Sequence, residues 1–530
     1  MQFIPFALII GISLICLALS WFGTGFLWPL VLTVPLVGLG IYDSLQKQHN
    51  LLRNYPVVGH LRWLFEAIRP QIHQYFIESD TDGMPFDRNE RSIVYQRAKN
   101  AVDKHPFGTE LDFYSDHYEW INHSITPQPK AEQGFRIDIG GEQCSQPYSA
   151  SIFNISAMSF GALSDRALLA LNKGAKMGSF AHDTGEGGIS RYHLEHGGDL
   201  IWEIGSGYFG CRREDGSFKP ELFSEQAQRE QVKMVEIKLS QGAKPGHGGV
   251  LPGEKVTNEI AEARKVPEGQ DCISPSSHSA FSNPIELMEF IARLRELSGG
   301  KPTGFKLCIG HPWEFMAICK AILKTGILPD FIVVDGAEGG TGAAPLEFSD
   351  SIGVPLRDGL LFAHNILRGV DLRDKIKIGA SGKLINGYRL AASLALGADW
   401  CNSARGFMFA LGCVQSQKCH TNRCPTGVAT QDPKRTRAIV VADKAQRVMQ
   451  FHHQTVDALA QVVAAAGLKH PSELRPYHII RRVDGNEIRP YDRVYRFLEP
   501  GELLTAPEDT EYARHWQTAS AERFAAVPVS

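Results

Sequence analysis

Charge is missing from the start of this 530-residue chain: residues 1–42 contain no Asp, Glu, Lys or Arg. That excludes a solvated N-terminal segment. Two apolar runs, 3–22 and 26–42, are separated by Gly23-Thr24-Gly25. A membrane-spanning helix needs roughly 17–25 apolar residues, so the pattern predicts a two-helix hairpin anchor over residues 1–44. A cleaved signal peptide would want a basic start and one short run; Met1-Gln2 is not basic and a second run follows. Cysteine is scarce, with ten thiols in the chain, which excludes a disulfide framework. A net charge of -3 argues against a nucleic-acid partner. No internal repeat or low-complexity tract stands out. Hydrophobic and charged contents of 43% and 21% are those of an ordinary globular protein.

Lys47, Arg53, Arg62 and Arg69 follow the second apolar run, while the turn between the runs is uncharged. The positive-inside rule then places the bulk of the chain in the cytoplasm, on a cell membrane crossed twice. Residues 45–133 read as a collar with helical patches such as 61–77, broken up by Pro56, Pro70 and Pro85. From about residue 134 short β-branched runs alternate with helical stretches. Candidate strands are 150–156, 234–239, 304–309, 331–334, 376–378 and 400–403. Candidate helices are 165–176, 284–297, 312–323, 359–366 and 387–396. Such alternation means a parallel sheet, and its length suits an α/β fold of the (β/α)8 TIM-barrel type over 134–470, with added helical segments. A barrel of this kind carries its site at the carboxyl ends of the strands. The rival, a doubly wound sheet, would want a G-x-G-x-x-G after an early strand, and none is expected there. A long helix is expected over 434–466, and 471–530 reads as a C-terminal tail.

Several candidate strands end in glycine-rich turns. Asp183-Thr-Gly-Glu-Gly-Gly188 holds Glu186 among glycines, where a carboxylate can orient a substrate or move a proton. In Lys238-Leu-Ser-Gln-Gly-Ala-Lys-Pro-Gly-His-Gly-Gly249, Gln241 and Lys244 sit where a strand should end, and Lys244 is placed to hold a carboxylate. Arg264 downstream offers a bidentate carboxylate contact. Lys306 lies inside the apolar strand Gly304-Phe-Lys-Leu307, where a lysine is rarely unpaired. Asp335 ends a buried strand before Gly336-Ala-Glu-Gly-Gly-Thr-Gly342. Ser381-Gly382-Lys383 and Ser403-Ala404-Arg405-Gly406 close the last two strands, the position at which barrels of this type bind phosphate.

The densest signal is Cys413, Cys419 and Cys424, spaced C-x5-C-x4-C. Three thiolates suit an iron–sulfur cluster, zinc or copper(I). Zinc usually takes paired Cys or a Cys/His set, for which only His420 is at hand. Three thiolates without an obvious fourth suit a three-iron cluster.

These stretches together resemble the FMN-binding glutamate synthase family, specifically its synthase domain. The matching segments are Met158-Ser-Phe-Gly-Ala-Leu-Ser, Thr184-Gly-Glu-Gly-Gly, Gln241-Gly-Ala-Lys-Pro-Gly-His-Gly-Gly, Leu251-Pro-Gly-Glu-Lys-Val, Asp335-Gly-Ala-Glu-Gly-Gly-Thr-Gly-Ala, and Gly412-Cys through Thr430-Gln. They cover about residues 134–440. The resemblance implies a barrel carrying FMN and a 3Fe-4S cluster ligated by Cys413, Cys419 and Cys424. It implies FMN contacts at Ala157, Met158, Ser159, Gln241, Lys306, Asp335, Gly382, Ala404 and Arg405. It implies oxo-acid contacts at Gly161, Lys244 and Arg264, with Glu186, Lys244 and Lys306 as the catalytic set. The implied reaction condenses 2-oxoglutarate with ammonia and reduces 2-iminoglutarate to L-glutamate. Full-length members begin with a glutaminase domain whose nucleophile is an N-terminal cysteine. Here Cys16 lies in an apolar run, so the expectation is a short membrane-anchored form fed with ammonia, free or from a separate protein. The expected electron donor is left open. His247 stands where an acidic residue is expected, and Ala380-Ser381-Gly382-Lys383 replaces a paired glycine turn. The alternative is a membrane flavin and iron–sulfur oxidoreductase acting on another amine or oxo-acid with a quinone- or ferredoxin-linked donor.

Overall fold

A computed structural model describes residues 2–132 and 134–528. The chain divides into two compact units, Met1–Asn89 and Glu90–Ser530. In the first, helices Ile4–Leu19 and Trp28–Leu45 are joined by the turn Thr24–Leu27. They run antiparallel and close together: a Cβ on Gly40 would collide with the ring of Phe6. Among the described residues, the segment Thr24–Leu45 is the one helix long and apolar enough to cross a membrane, while Ile4–Leu19 is shorter. Sixteen residues span only about 24 Å as a helix, short of a hydrocarbon core of about 30 Å. Asp43, in the last turn of the second helix, is fully buried and accepts from Val57 N (2.9 Å) and His60 Nε2 (3.0 Å). The helix His60–Ile72 follows and continues through a wider turn, His73–Ile77. Pro70 lies within it rather than ending it.

The second unit is built on a closed barrel of eight strands, each pairing in parallel with the next. In order they are β1 (Phe153–Ile155), β2 (His182–Asp183), β3 (Leu200–Ile204), β4 (Val232–Lys238), β5 (Thr303–Leu307), β6 (Phe331–Asp335), β7 (Lys377–Ser381) and β8 (Trp400–Ser403). Six of these match the strands expected from sequence, within a few residues. β2 is two residues long, and neither it nor β3 was anticipated. The expected first strand is two elements: Tyr148–Ser151 pairs antiparallel with Arg136–Ile139, and β1 begins after Ile152.

That hairpin plugs one end of the barrel. Ile139, Tyr148 and Ala150 pack against Ala181, Ile201, Met234, Phe331, Val333 and Trp400, which sit at or near the strand starts. The carboxyl ends are left for the loops. Outside, helices Asp165–Gly178, Pro284–Leu297, Pro312–Thr325, Leu356–Gly369 and Gly387–Ala395 cover the strands. The expected long helix is Val441–Ala465. It lies against Gly174 and Gly387, whose missing side chains allow the close approach. Part of the stretch read as a collar belongs to this unit: Glu119–Ile121 pairs with Ile479–Arg482 from the C-terminal region.

Candidate active site

All the loops that carry the expected site residues leave the same end of the barrel, because the eight strands are parallel. Ala157, Met158, Ser159 and Gly161 follow β1, Glu186 follows β2, and Gln241 and Lys244 follow β4. Lys306 is in β5, Asp335 ends β6, Gly382 follows β7, and Ala404 and Arg405 follow β8. Arg264 ends a short helix, Asn258–Arg264, in the connection between β4 and β5.

One group gathers around Glu186. Its carboxylate lies 3.0 Å from Lys238 Nζ. A Cβ on Gly205 would come within 2.6 Å of Glu186 Oε2, and one on Gly249 would collide with Oε1. The two glycines therefore make the slot the carboxylate occupies. Burial opposes its charge, but Lys238, then Arg264 and Lys244, outweigh burial and hold the carboxyl below its usual range. Lys244, 2% exposed, spends one donor on Ala343 O at 2.8 Å. Burial pulls its ammonium down to about 8, with Glu186 opposing and Lys238 reinforcing the shift. Arg264 is buried and donates to Ser159 Oγ (3.2 Å) and Phe160 O (3.0 Å), beside Gly161. Its Nε has no hydrogen-bond partner among the described residues. Three cations, Lys238, Lys244 and Arg264, thus meet one carboxylate. The excess of two positive charges fits a dianion.

Beneath this group Lys306 sits in a pocket of carboxylates. Its Nζ contacts Glu203 and lies 3.7 Å from Glu236 Oε1; carboxylate oxygens of Asp183, Glu203 and Glu236 all fall within 4.8 Å of one another. Burial disfavours the Lys306 charge, but Glu203, Glu236, Asp183 and Asp335 more than offset it and raise its pKa. Burial first, and then the neighbouring acids, raise Asp183 and Glu236. The ammonium of Lys306 already serves this trio as its cation, so the cluster is no metal centre. Glu203 and Glu236 were missed in the sequence. Each is an acid inside an apolar run, Leu200-Ile-Trp-Glu-Ile204 and Met234-Val-Glu-Ile237, the same signal that singled out Lys306.

Across the barrel mouth, Asp335 Oδ2 accepts from Gly242 N at 2.7 Å. A Cβ on Gly242 would collide with Gly336 O, so the loops after β4 and β6 touch backbone to backbone. At the ends of β7 and β8, Ser381 Oγ lies 3.3 Å from Ser156 Oγ, and Arg405 donates to Glu338 O at 2.6 Å. Lys383 holds a left-handed backbone, φ 53°, and lies close enough to Arg405 for the two charges to repel. Two adjacent cations at this end of the barrel are a donor set suited to a phosphate. The residues present therefore fit FMN. The His247 ring packs edge-on to Phe348, and its Nδ1 meets Gly248 O at 2.8 Å. A G-x-G-x-x-G does follow an early strand, contrary to the sequence expectation: Gly205-Ser-Gly-Tyr-Phe-Gly210 comes directly after β3, but it opens no helix and the sheet is a closed barrel.

The cysteine loop follows the helix Arg405–Ala410. Cys413, Cys419 and Cys424 lie near enough to interact electrostatically; burial raises the first two thiols, Cys413 to about 12. At Cys424 burial is outweighed by hydrogen bonds from Thr426 and from backbone amides of Ala429 and Val428, which lower it. His420 is exposed. Lys255, which sequence reasoning passed over, is 2% exposed and donates to Ala162 O (3.1 Å) and Cys419 O (3.2 Å). Burial brings it down to about 8, with Cys419 and Cys424 opposing. Gln431 donates to Gly161 O and Leu163 O. One ammonium and one amide therefore tie the cysteine loop to the loop after β1.

A family model described as the conserved region in glutamate synthase matches residues 121–469. The chain belongs to the glutamate synthase family. Its class is accordingly an oxidoreductase. It is 37% identical over 513 residues to a glutamate synthase large subunit-like protein, YerD, of Bacillus subtilis (strain 168), covering 88% of this chain and 97% of that one. It is 35% identical over 322 residues to an archaeal glutamate synthase (NADPH) of Methanocaldococcus jannaschii, covering 61% of this chain and 60% of that one. The match thus spans about three fifths of the archaeal-type relatives. A flavocytochrome b2 variant with pyruvate bound aligns at TM-score 0.40 and 12% identity, over 79% of this chain and 85% of that one.

Proposed function

We propose that this barrel makes L-glutamate from 2-oxoglutarate and ammonia by reducing 2-iminoglutarate. The observation that carries the reading is the charge balance at the barrel mouth: Lys244, Arg264 and Lys238 against the single carboxylate of Glu186. Arg264, with an open Nε, and Lys244, with unused donors, hold the two carboxylates of the oxo-acid, with Gly161 beside them. Two fixed points orient the carbon to be reduced and remove much of the entropic cost of alignment. Glu186, held ionised by its cations, serves as an acceptor for an ammonium proton rather than as an acid.

FMN, when bound, supplies the hydride, and a 3Fe-4S cluster on Cys413, Cys419 and Cys424 supplies the electrons one at a time. Ala157, Met158, Ser159 and Gln241 would hold the flavin ring, Lys306 would supply a buried positive charge to it, and Asp335 fixes the loop after β4 through Gly242 N. Gly382, Ala404 and Arg405 would hold its phosphate. Three thiolates spaced C-x5-C-x4-C without an obvious fourth ligand support a three-iron cluster over a single ion. The helix Trp28–Leu45 serves as a membrane anchor, with the shorter apolar helix Ile4–Leu19 packed beside it. Trp21, Phe22 and Trp28 are exposed around the turn between them, as aromatic anchors at an interface would be.

The test is the full chain, purified anaerobically, supplied with an artificial reductant, 2-oxoglutarate and ammonium. Glutamate formation that is lost in R264M and C419S, with flavin retained in both, is the expected result. Bound flavin without glutamate formation in the unaltered chain would overturn the reading.

A further inference from the structure

The helix His60–Ile72 and its continuation His73–Ile77 carry an apolar stripe that nothing in their own unit covers. Leu61, Leu64, Phe65, Ile68, Ile72, Tyr75 and Phe76 recur every three or four residues and fall on one face. All are exposed, Leu64 by 54%, Phe65 by 60% and Phe76 by 84%. Arg62, Glu66, Arg69 and His73 run along one side of it. A water-facing stripe of this length marks an interaction surface.

We infer that this helix lies flat in the lipid–water interface of a bilayer, with its apolar face among the acyl chains. Two observations select lipid as the occupant. Asp43 stands in the last turn of the Trp28–Leu45 helix, and its carboxylate holds both Val57 N and His60 Nε2. The first residue of the amphipathic helix is thereby fastened to the end of the membrane-length one. Arg62 and Arg69 border the stripe along one side, the arrangement of helices that rest on anionic headgroups. The inference rests on the membrane reading of Trp28–Leu45. It adds a second, in-plane contact that stops the segment after the anchor from swinging free.

The full chain is reconstituted in vesicles of neutral and anionic phospholipid, some spin-labelled near the headgroup. A genetically encoded fluorescent amino acid replaces Phe65 or Ile68 on the stripe, or Trp63 or Glu66 away from it. Severalfold stronger lipid quenching at 65 and 68 than at 63 and 66 is expected. In the unaltered chain, amides of 61–72 should exchange hydrogen more slowly in vesicles than in detergent. Equal quenching on both faces overturns the inference. So does unquenched protection accompanied by copy-to-copy cross-links through Phe65, which would make a second chain the occupant. A chain that fails to float with vesicles at all overturns the anchor itself, a separate and visible outcome.

Discussion

Lys306 owes its charge to Glu203 and Glu236, and they owe theirs to it. Removing one partner of a buried ion cluster leaves the rest uncompensated, at about 3–5 kcal/mol. Lys306→Met should therefore lower the denaturation free energy by about that much, while Lys306→Met combined with Glu203→Gln should recover part of it; denaturant titration of both reads the difference. Lys244 makes a pH prediction. Its folded pKa of about 8 lies below its ordinary 10.5. The unfolded chain then binds more protons across that window, so this group adds stability as pH rises through it. Carboxylate binding runs the other way, since only the ammonium form holds the anion. The KM for 2-oxoglutarate should climb about tenfold per pH unit above about 8, and Lys244→Met should show a high KM that is flat with pH. The same residue-scale reasoning shows what the sequence could reveal. Lys306 and Lys244 were legible because a basic group in an apolar strand or a glycine turn is unusual; Arg264, at the end of the polar helix Asn258–Arg264, was singled out by the family resemblance. Lys255 was not, because Leu251-Pro-Gly-Glu-Lys-Val reads as an ordinary exposed turn. Only the fold shows the ammonium buried against two carbonyls.

At the scale of elements, β4 to β8 were readable from their β-branched and apolar runs. β2 was not: it has two residues, His182 and Asp183, and its place is fixed by pairing with β1 and β3. β3 was hidden by Glu203, an acid that only a lysine from another strand makes tolerable. The loops follow their own logic. Gly242 allows the turns after β4 and β6 to touch, so Gly242→Ala should force them apart at a cost of about 1–3 kcal/mol. Far-ultraviolet circular dichroism should stay unchanged while the protein loses flavin on gel filtration. Lys255 fastens the cysteine loop through charged hydrogen bonds, worth about 1.5 kcal/mol or more. Lys255→Met should therefore raise protease cleavage within 413–431 by about tenfold, with less iron retained per chain; cleavage at the unaltered rate would mean that the lysine ties nothing down.

At the scale of the molecule, a closed barrel plugged at one end leaves a single mouth where flavin, oxo-acid and cysteine residues converge. The order of the chain conceals this, because the contributing residues are scattered from Ala157 to Cys424. The apolar start of the chain marked a helix long and apolar enough to cross a membrane, but the amphipathic helix after it was legible only as a helical patch. Its pairing with Asp43 needed the fold. The most direct measurement is a single turnover: anaerobically reduced full chain mixed with 2-oxoglutarate and nitrogen-15 ammonium, without further reductant. The account predicts flavin reoxidation that requires both substrates and yields nitrogen-15 glutamate in proportion to the flavin reoxidised. Reoxidation by 2-oxoglutarate alone, or a flavin that stays reduced with both substrates present, would contradict it.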